Sequence, residues 1–239
     1  MSYLSWAPPH RFGVDQFYLD GRIYSRAEGC ILTFGEDMVD KMAPLHSAAG
    51  SGGTQTPAIG GDQPANLNRK IFSATIDFDD PVAFKRTLAA VNSHGVIDFM
   101  PGTWAVDEWR AIRANAAAPT TWKTSRGIWL GSPTDTTTYA PTGRIVWDAG
   151  TTDDIDPIHT GAPAADTDVL FPAASTTTPF DITTNAGAFD NTVDDRLFIE
   201  YLAVYWVQTK LQMQIPEPNH LQVTFTAEEV LIGAYTGRT

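Results

Sequence analysis

At 239 residues, with 43% hydrophobic and 18% charged side chains, the chain is long enough to bury a substantial core in one large domain and too apolar to be disordered. Its formal net charge of −12 leaves no basic footprint for gripping phosphates, so specific nucleic-acid binding is not expected. The lone cysteine, Cys30, rules out an intrachain disulfide and a thiolate zinc cluster.

The first residues, Met1-Ser2-Tyr3-Leu4-Ser5-Trp6-Ala7-Pro8-Pro9, have neither a basic n-region nor an apolar h-region. No later window approaches a membrane-spanning length, so the expectation is cytoplasmic synthesis, no signal peptide and no membrane insertion. Residues 14 to 34 alternate hydrophobic and polar side chains, and Asp20-Gly21 between two such runs predicts a tight hairpin. From Ser47 to Asn68 the composition shifts to Ala, Gly, Ser, Thr, Pro, Gln and Asn, with Ile59 and Leu67 the only large hydrophobes. That stretch predicts a long flexible loop or arm at about 47–68.

Ile71 to Phe78 predicts a strand, and a helix follows at once. Asp80 is a natural N-cap and Pro81 suits the first helical position, while Val82, Leu88 and Val91 mark an apolar stripe ending near Gly95. Val96 to Met100 predicts the next strand, closed by Pro101-Gly102. Trp109, Ile112 and Arg113 fall at helical spacing, which predicts a second short helix over Val106 to Ala117 with Pro119 beyond its end.

Beyond Pro119 the pattern is mostly β, with short strands at Gly127 to Leu130 and Arg144 to Trp147. Residues 149 to 192 look loop-like, punctuated by Pro157, Pro163, Pro172 and Pro179. Leu197 to Val207 is the strongest hydrophobic run; its aromatic and β-branched content argues for a buried central strand, though length alone also permits a helix. Leu221 to Ala227 alternates cleanly and predicts a half-buried strand. The fold class expected is mainly β with one or two short helices (α+β), a single domain over 1–239 with a β-sandwich or barrel-like body, a flanking helix and long loops.

The chemistry is sparse. His10, His46, His94, His159 and His220 are dispersed and match no ligand spacing, and Gly50-Ser51-Gly52-Gly53 lacks the Lys-Ser/Thr ending of a phosphate loop. From Asp148 to Glu200 the sequence carries eleven acids against the single base Arg196, so an acidic, loop-rich segment is expected at about 148–195. Within it, Asp153, Asp154, Asp156, Asp166 and Asp168 are the residues that could gather oxygen ligands, but the EF-hand glycine and terminal Glu are missing. Asp194-Asp195 and Glu228-Glu229 are adjacent acids, which on a strand point to opposite faces and form no glycosidase couple by themselves. No catalytic, cofactor-binding or metal residue is therefore assigned, and no cofactor and no enzymatic activity are expected. Of the seven tryptophans, Trp129, Trp147 and Trp206 sit in apolar strands and read as core, whereas Trp104 and Trp122 flank helix and loop and could be exposed.

The Ile71 to Phe78 strand running into the Asp80 to Gly95 helix, with the terminal strands Leu197 to Val207 and Leu221 to Ala227, resembles the β-sandwich plus flanking helix of tail-tube-like subunits. The whole chain is similar in character to virion structural proteins of tailed bacteriophages, the tail tube, distal tail and baseplate components. That resemblance implies a homo-oligomeric ring, a virion location, and copies of itself and other virion proteins as partners. It also implies that the loop Ser47 to Asn68 bridges neighbouring rings and that the acidic stretch Asp148 to Glu200 lines a lumen through which DNA slides. The alternative reading is a carbohydrate- or receptor-binding module using exposed Trp and Tyr, and a third is an enzyme assembled from acids distant in sequence.

Overall fold

The computed structural model describes residues 16–39, 69–93, 95–110, 121–131, 138–147, 150–189, 195–217 and 220–230. The expected arm at 47–68, like Trp6, His10, His46, His94, Asp148, Asp190 and Asp194, lies outside the described residues.

Strands β1 (Gln16–Leu19) and β2 (Arg22–Ser25) form the expected hairpin, with Leu19 opposite Arg22. Asp20 and Gly21 take φ of 47° and 82°, the left-handed pair that matches the twist of a two-residue turn. A 3-10 turn at Arg26–Glu28 then leads to β3 (Ile31–Val39), and the Cys30 N–H donates to the Ser25 carbonyl at 3.2 Å. β3 pairs antiparallel with β4 (Arg69–Phe78).

Helix α1 (Pro81–Val91) starts as its sequence dictates, since the Asp80 carboxylate accepts from the N–H groups of Val82 at 2.9 Å and Ala83 at 3.1 Å. Its buried face is Ala83, Phe84, Thr87 and Val91; Val82 is 52% exposed and stands off the expected stripe. The hydroxyl of Thr87 explains the polar residue on that face, because it donates to the Tyr24 hydroxyl at 3.1 Å.

After β5 (Val96–Met100) the chain enters β6 (Trp104–Arg110), which replaces the helix expected from residue 106; positions 111 to 117 lie outside the described residues. The reason is period two rather than 3.6: Ala105, Asp107 and Trp109 are buried while Trp104, Val106 and Glu108 between them are half-buried.

Seven shorter strands follow: β7 (Thr121–Lys123), β8 (Gly127–Trp129), β9 (Thr142–Val146), β10 (Thr152–Asp154), β11 (Asp156–Ile158), β12 (Asp168–Leu170) and β13 (Asp181–Thr184). Residues 149 to 192, expected as loop, thus contain β10 to β13. Alternation there is too short to show in the sequence, with Val169 the one buried side chain of β12 and Ile182 and Thr184 the two of β13.

The spine is β14 (Arg196–Glu217), a 22-residue strand followed by β15 (His220–Glu229). β5 and β6 line one edge of β14; β9, β8 and β15 follow one another along the other. Gly143 of β9 lies so close to the Phe198 carbonyl that any Cβ would strike it. The large sheet has the path β2-β1-β5-β14-β15-β4-β3, and a four-stranded sheet, β11-β12-β13-β7, lies apart from it. The body is therefore mainly β, a curled antiparallel sheet with a second sheet and one flanking helix packed on β4, β14 and β15. Leu197, Ile199, Tyr201, Ala203, Tyr205 and Val207 of β14 enter the main core, while Leu202 and Val204 on the opposite face form a second cluster with Met100 and Trp129. Burial on both faces is what makes Leu197 to Val207 apolar or aromatic at every position but Glu200.

Candidate functional site

The residues singled out in the acidic segment do not converge. Asp154 forms an ion pair with Arg144 at 2.8 Å, Asp156 accepts from the Thr167 hydroxyl at 2.8 Å, and Asp181 lies 3.9 Å from the Lys123 ammonium. Asp168 accepts from the N–H groups of Ala165 and Ala164, both at 2.7 Å, and these bonds hold its carboxyl below the ordinary range. His159 shares a hydrogen bond with the Pro172 carbonyl at 2.8 Å. Among the described residues no three His, Cys, Asp or Glu side chains are grouped to hold a metal ion. Asp153, Asp154, Asp156 and Asp166 nonetheless remain exposed.

Trp122 is fully buried, which overturns the expectation that it is exposed, and Trp104 is half-buried. The indole of Trp122 sits edge-on to Trp109 with centroids 6.2 Å apart, lies 4.9 Å from Phe189, and donates to the Thr184 hydroxyl at 3.2 Å. With Val169 and Ile182 it carries the second sheet into the core. Trp129 is buried; Trp147 and Trp206 are half-buried, with the Trp147 indole donating to the Ala188 carbonyl at 3.0 Å.

The polar chemistry that sequence reasoning missed lies inside. Asp107 of β6, Ser125 and Arg126 before β8, Tyr201 and Tyr205 of β14 and Glu229 at the end of β15 are all buried and joined into one network. The Asp107 carboxylate accepts from the Ser125 N–H at 2.7 Å, the Ser125 hydroxyl at 2.6 Å and the Tyr201 hydroxyl at 2.7 Å. Arg126 donates from Nη1 to the Ser125 hydroxyl at 3.2 Å, and from Nε and Nη2 to the two oxygens of Glu229 at 2.7 and 2.9 Å. Its guanidinium also lies over the Tyr205 ring, 4.9 Å from the centroid. Glu229 takes a further bond from the Lys70 N–H at 2.8 Å, so β4 is tied in as well.

Burial pushes the Asp107 carboxyl up, and the Ser125 bonds, the Arg126 charge and the Tyr201 bond pull it partly back. Burial and the Asp107 charge raise the Tyr201 phenol well above its ordinary value. Burial works against the Arg126 charge, but Tyr205, Glu229 and Tyr201 around it more than offset that and raise it. The network brings together the hydroxyls of Ser125 and Tyr201, two carboxylates and a guanidinium; among the described residues no imidazole joins it, and every hydrogen bond named is spent within the protein. What it does chemically is satisfy buried charge. Parity was the available signal: Glu229 continues the inward series Val223, Phe225, Ala227, and Asp107 sits between the inward Ala105 and Trp109. Glu228, by contrast, is exposed, as expected for adjacent acids on a strand.

Among the described residues no helix is long and apolar enough to cross a membrane. Comparison with protein-family models, curated proteins and solved structures gave no match.

Proposed function

We propose that the chain is a structural subunit of a tailed-bacteriophage particle, of the tail tube, distal tail or baseplate kind, and that it works as one copy in a homo-oligomeric ring or stacked assembly. The observation that supports this reading is the open end of the large sheet. β3 pairs with β4 along nine residues, and among the described residues no strand pairs with its far edge. Such an edge offers a row of N–H and C=O groups to another chain, and soluble proteins shorten, bulge or cover edges of this length. A neighbouring copy is an economical cover, because rotational symmetry lets each subunit close the next one's edge.

The same symmetry repeats the exposed carboxylates Asp153, Asp154, Asp156 and Asp166 around an axis. A ring of such surfaces repels phosphates and lets DNA slide without specific binding. The partners on this reading are further copies of the chain and other virion proteins, and the location is the virion. Light scattering and negative-stain imaging of the purified protein at high concentration test it. Rings or stacked rings are the expected result; a compact monomer that persists even with its partner proteins present defeats the proposal.

A further inference from the structure

We propose that the buried Arg126–Glu229 pair is a register lock for β15, selecting one of several alignments that the apolar core alone would accept. The inward side chains of β15 are Val223, Phe225 and Ala227, and those of β4 are Phe72, Ala74, Ile76 and Phe78. In the observed register Val223 faces Ile76, Phe225 faces Ala74 and Ala227 faces Phe72. A slip of one residue would turn every one of these outward and is forbidden by burial. A slip of two residues keeps each face inward and sets apolar against apolar again. The match of large with small opposes it only weakly, because cores redistribute volume by repacking.

The charge at residue 229 cannot be redistributed. Glu229 closes the inward series on β15, opposite Val207 of β14, and reaches both Arg126 and the Lys70 N–H. A two-residue slip carries its carboxylate about 7 Å along the strand. That leaves Arg126 buried without its counter-charge and the carboxylate without its donors, the costly outcome for a buried pair. Arg126 itself cannot follow, since its Nη1 is bonded to Ser125, and Ser125 is held on Asp107 by its N–H and its hydroxyl. Asp107, on β6, is fixed in turn by Tyr201 of β14. The lock therefore refers the position of β15 to the spine strand through a chain of hydrogen bonds, while the outward bonds Thr75 to Thr224 and Gln222 to Asp77 are only part-buried.

Paired cysteines in a Cys30→Ser background read the register directly, because Thr226 faces Ser73 across the β15–β4 ladder. Under mild oxidation, Thr226→Cys with Ser73→Cys reports the observed alignment. Thr226→Cys with Thr75→Cys, or with Ile71→Cys, reports a slip of two residues in either direction. With the lock intact only the first pair is expected to cross-link. In the isosteric apolar variant Arg126→Met/Glu229→Leu, a slipped product is expected to rise about tenfold or more, since the pair's penalty no longer opposes it. Slipped products that stay at the level of the intact lock overturn the proposal. Should the apolar variant not fold, Glu229→Gln, which keeps the size and one acceptor oxygen, reads the same cross-links; a slipped product is expected there too, and its absence overturns the proposal equally.

Discussion

The Arg126 guanidinium meets the Glu229 carboxylate through Nε to Oε1 at 2.7 Å and Nη2 to Oε2 at 2.9 Å, across 103 positions of sequence. Both side chains are almost wholly buried, at 6% and 3% exposure, so neither charge has water to fall back on. Removing one partner strands the other, and Arg126→Ala or Glu229→Ala is expected to lower unfolding stability by about 3–5 kcal/mol. Removing both in favour of apolar side chains should restore most of it. Chemical denaturation of the two single variants and the double variant checks this; additive losses would show that the charges do not depend on each other.

Asp107 sets a pH dependence with a definite sign. Burial raises its carboxyl in the folded state above its unfolded value of about 3.9. A group shifted in that direction contributes stability that is present below its unfolded value and is lost as pH rises through the folded one. The groups facing it are Ser125, Tyr201 and Arg126, so comparison with Asp107→Asn isolates its titration. The stability of the native protein relative to Asp107→Asn is expected to fall as pH is raised from about 4, then to level off. Denaturant titrations at several pH values measure the difference, and a difference that grows with pH would contradict the burial argument.

The Asp80 cap is a local test of the strand-to-helix corner. Asp80→Ala frees the N–H groups of Val82 and Ala83 and should cost about 1 kcal/mol, whereas Asp80→Asn should cost less because it still offers an acceptor. Thermal unfolding of the two variants distinguishes loss of the cap from loss of charge.

What the sequence disclosed is what short-range physics controls. The Asp20-Gly21 turn, the Asp80 cap and the alternation of Val223, Phe225 and Ala227 are local, and each stands where it was expected. Trp109 misled because helical spacing to Ile112 and Arg113 outweighed the shorter alternation of Ala105 and Asp107, which a buried acid conceals. The strands β10 to β13 span three or four residues each, too few for periodicity to register; β10 exists by pairing with β9 of the large sheet, and β11 to β13 by pairing in the second sheet that packs on the core. The buried network was hidden for a related reason. A charged residue at an inward position looks like the end of a strand until its partner, here about a hundred residues away, is known.

Trp122 is where the second sheet is expected to fail first. It stands on β7 opposite Ile182 of β13, it is completely buried, and its ring contacts both Trp109 of the large sheet and Phe189 after β13. Truncation to Ala opens a cavity and leaves the Thr184 hydroxyl without its indole donor, which together should cost about 3–5 kcal/mol. The loss is expected to be uneven. β12 and β13 reach the core through few side chains, among them Val169 and Ile182, while β4 and β15 keep their full ladder and the Arg126–Glu229 tie. In Trp122→Ala the amides of β12 and β13 should therefore exchange faster by a factor set by local opening, with those of β4 and β15 still exchanging through global unfolding. Hydrogen exchange followed by mass spectrometry resolves the two sets. If both sets accelerate together, the two sheets unfold as one cooperative unit and the joint at Trp122 is not the weak point.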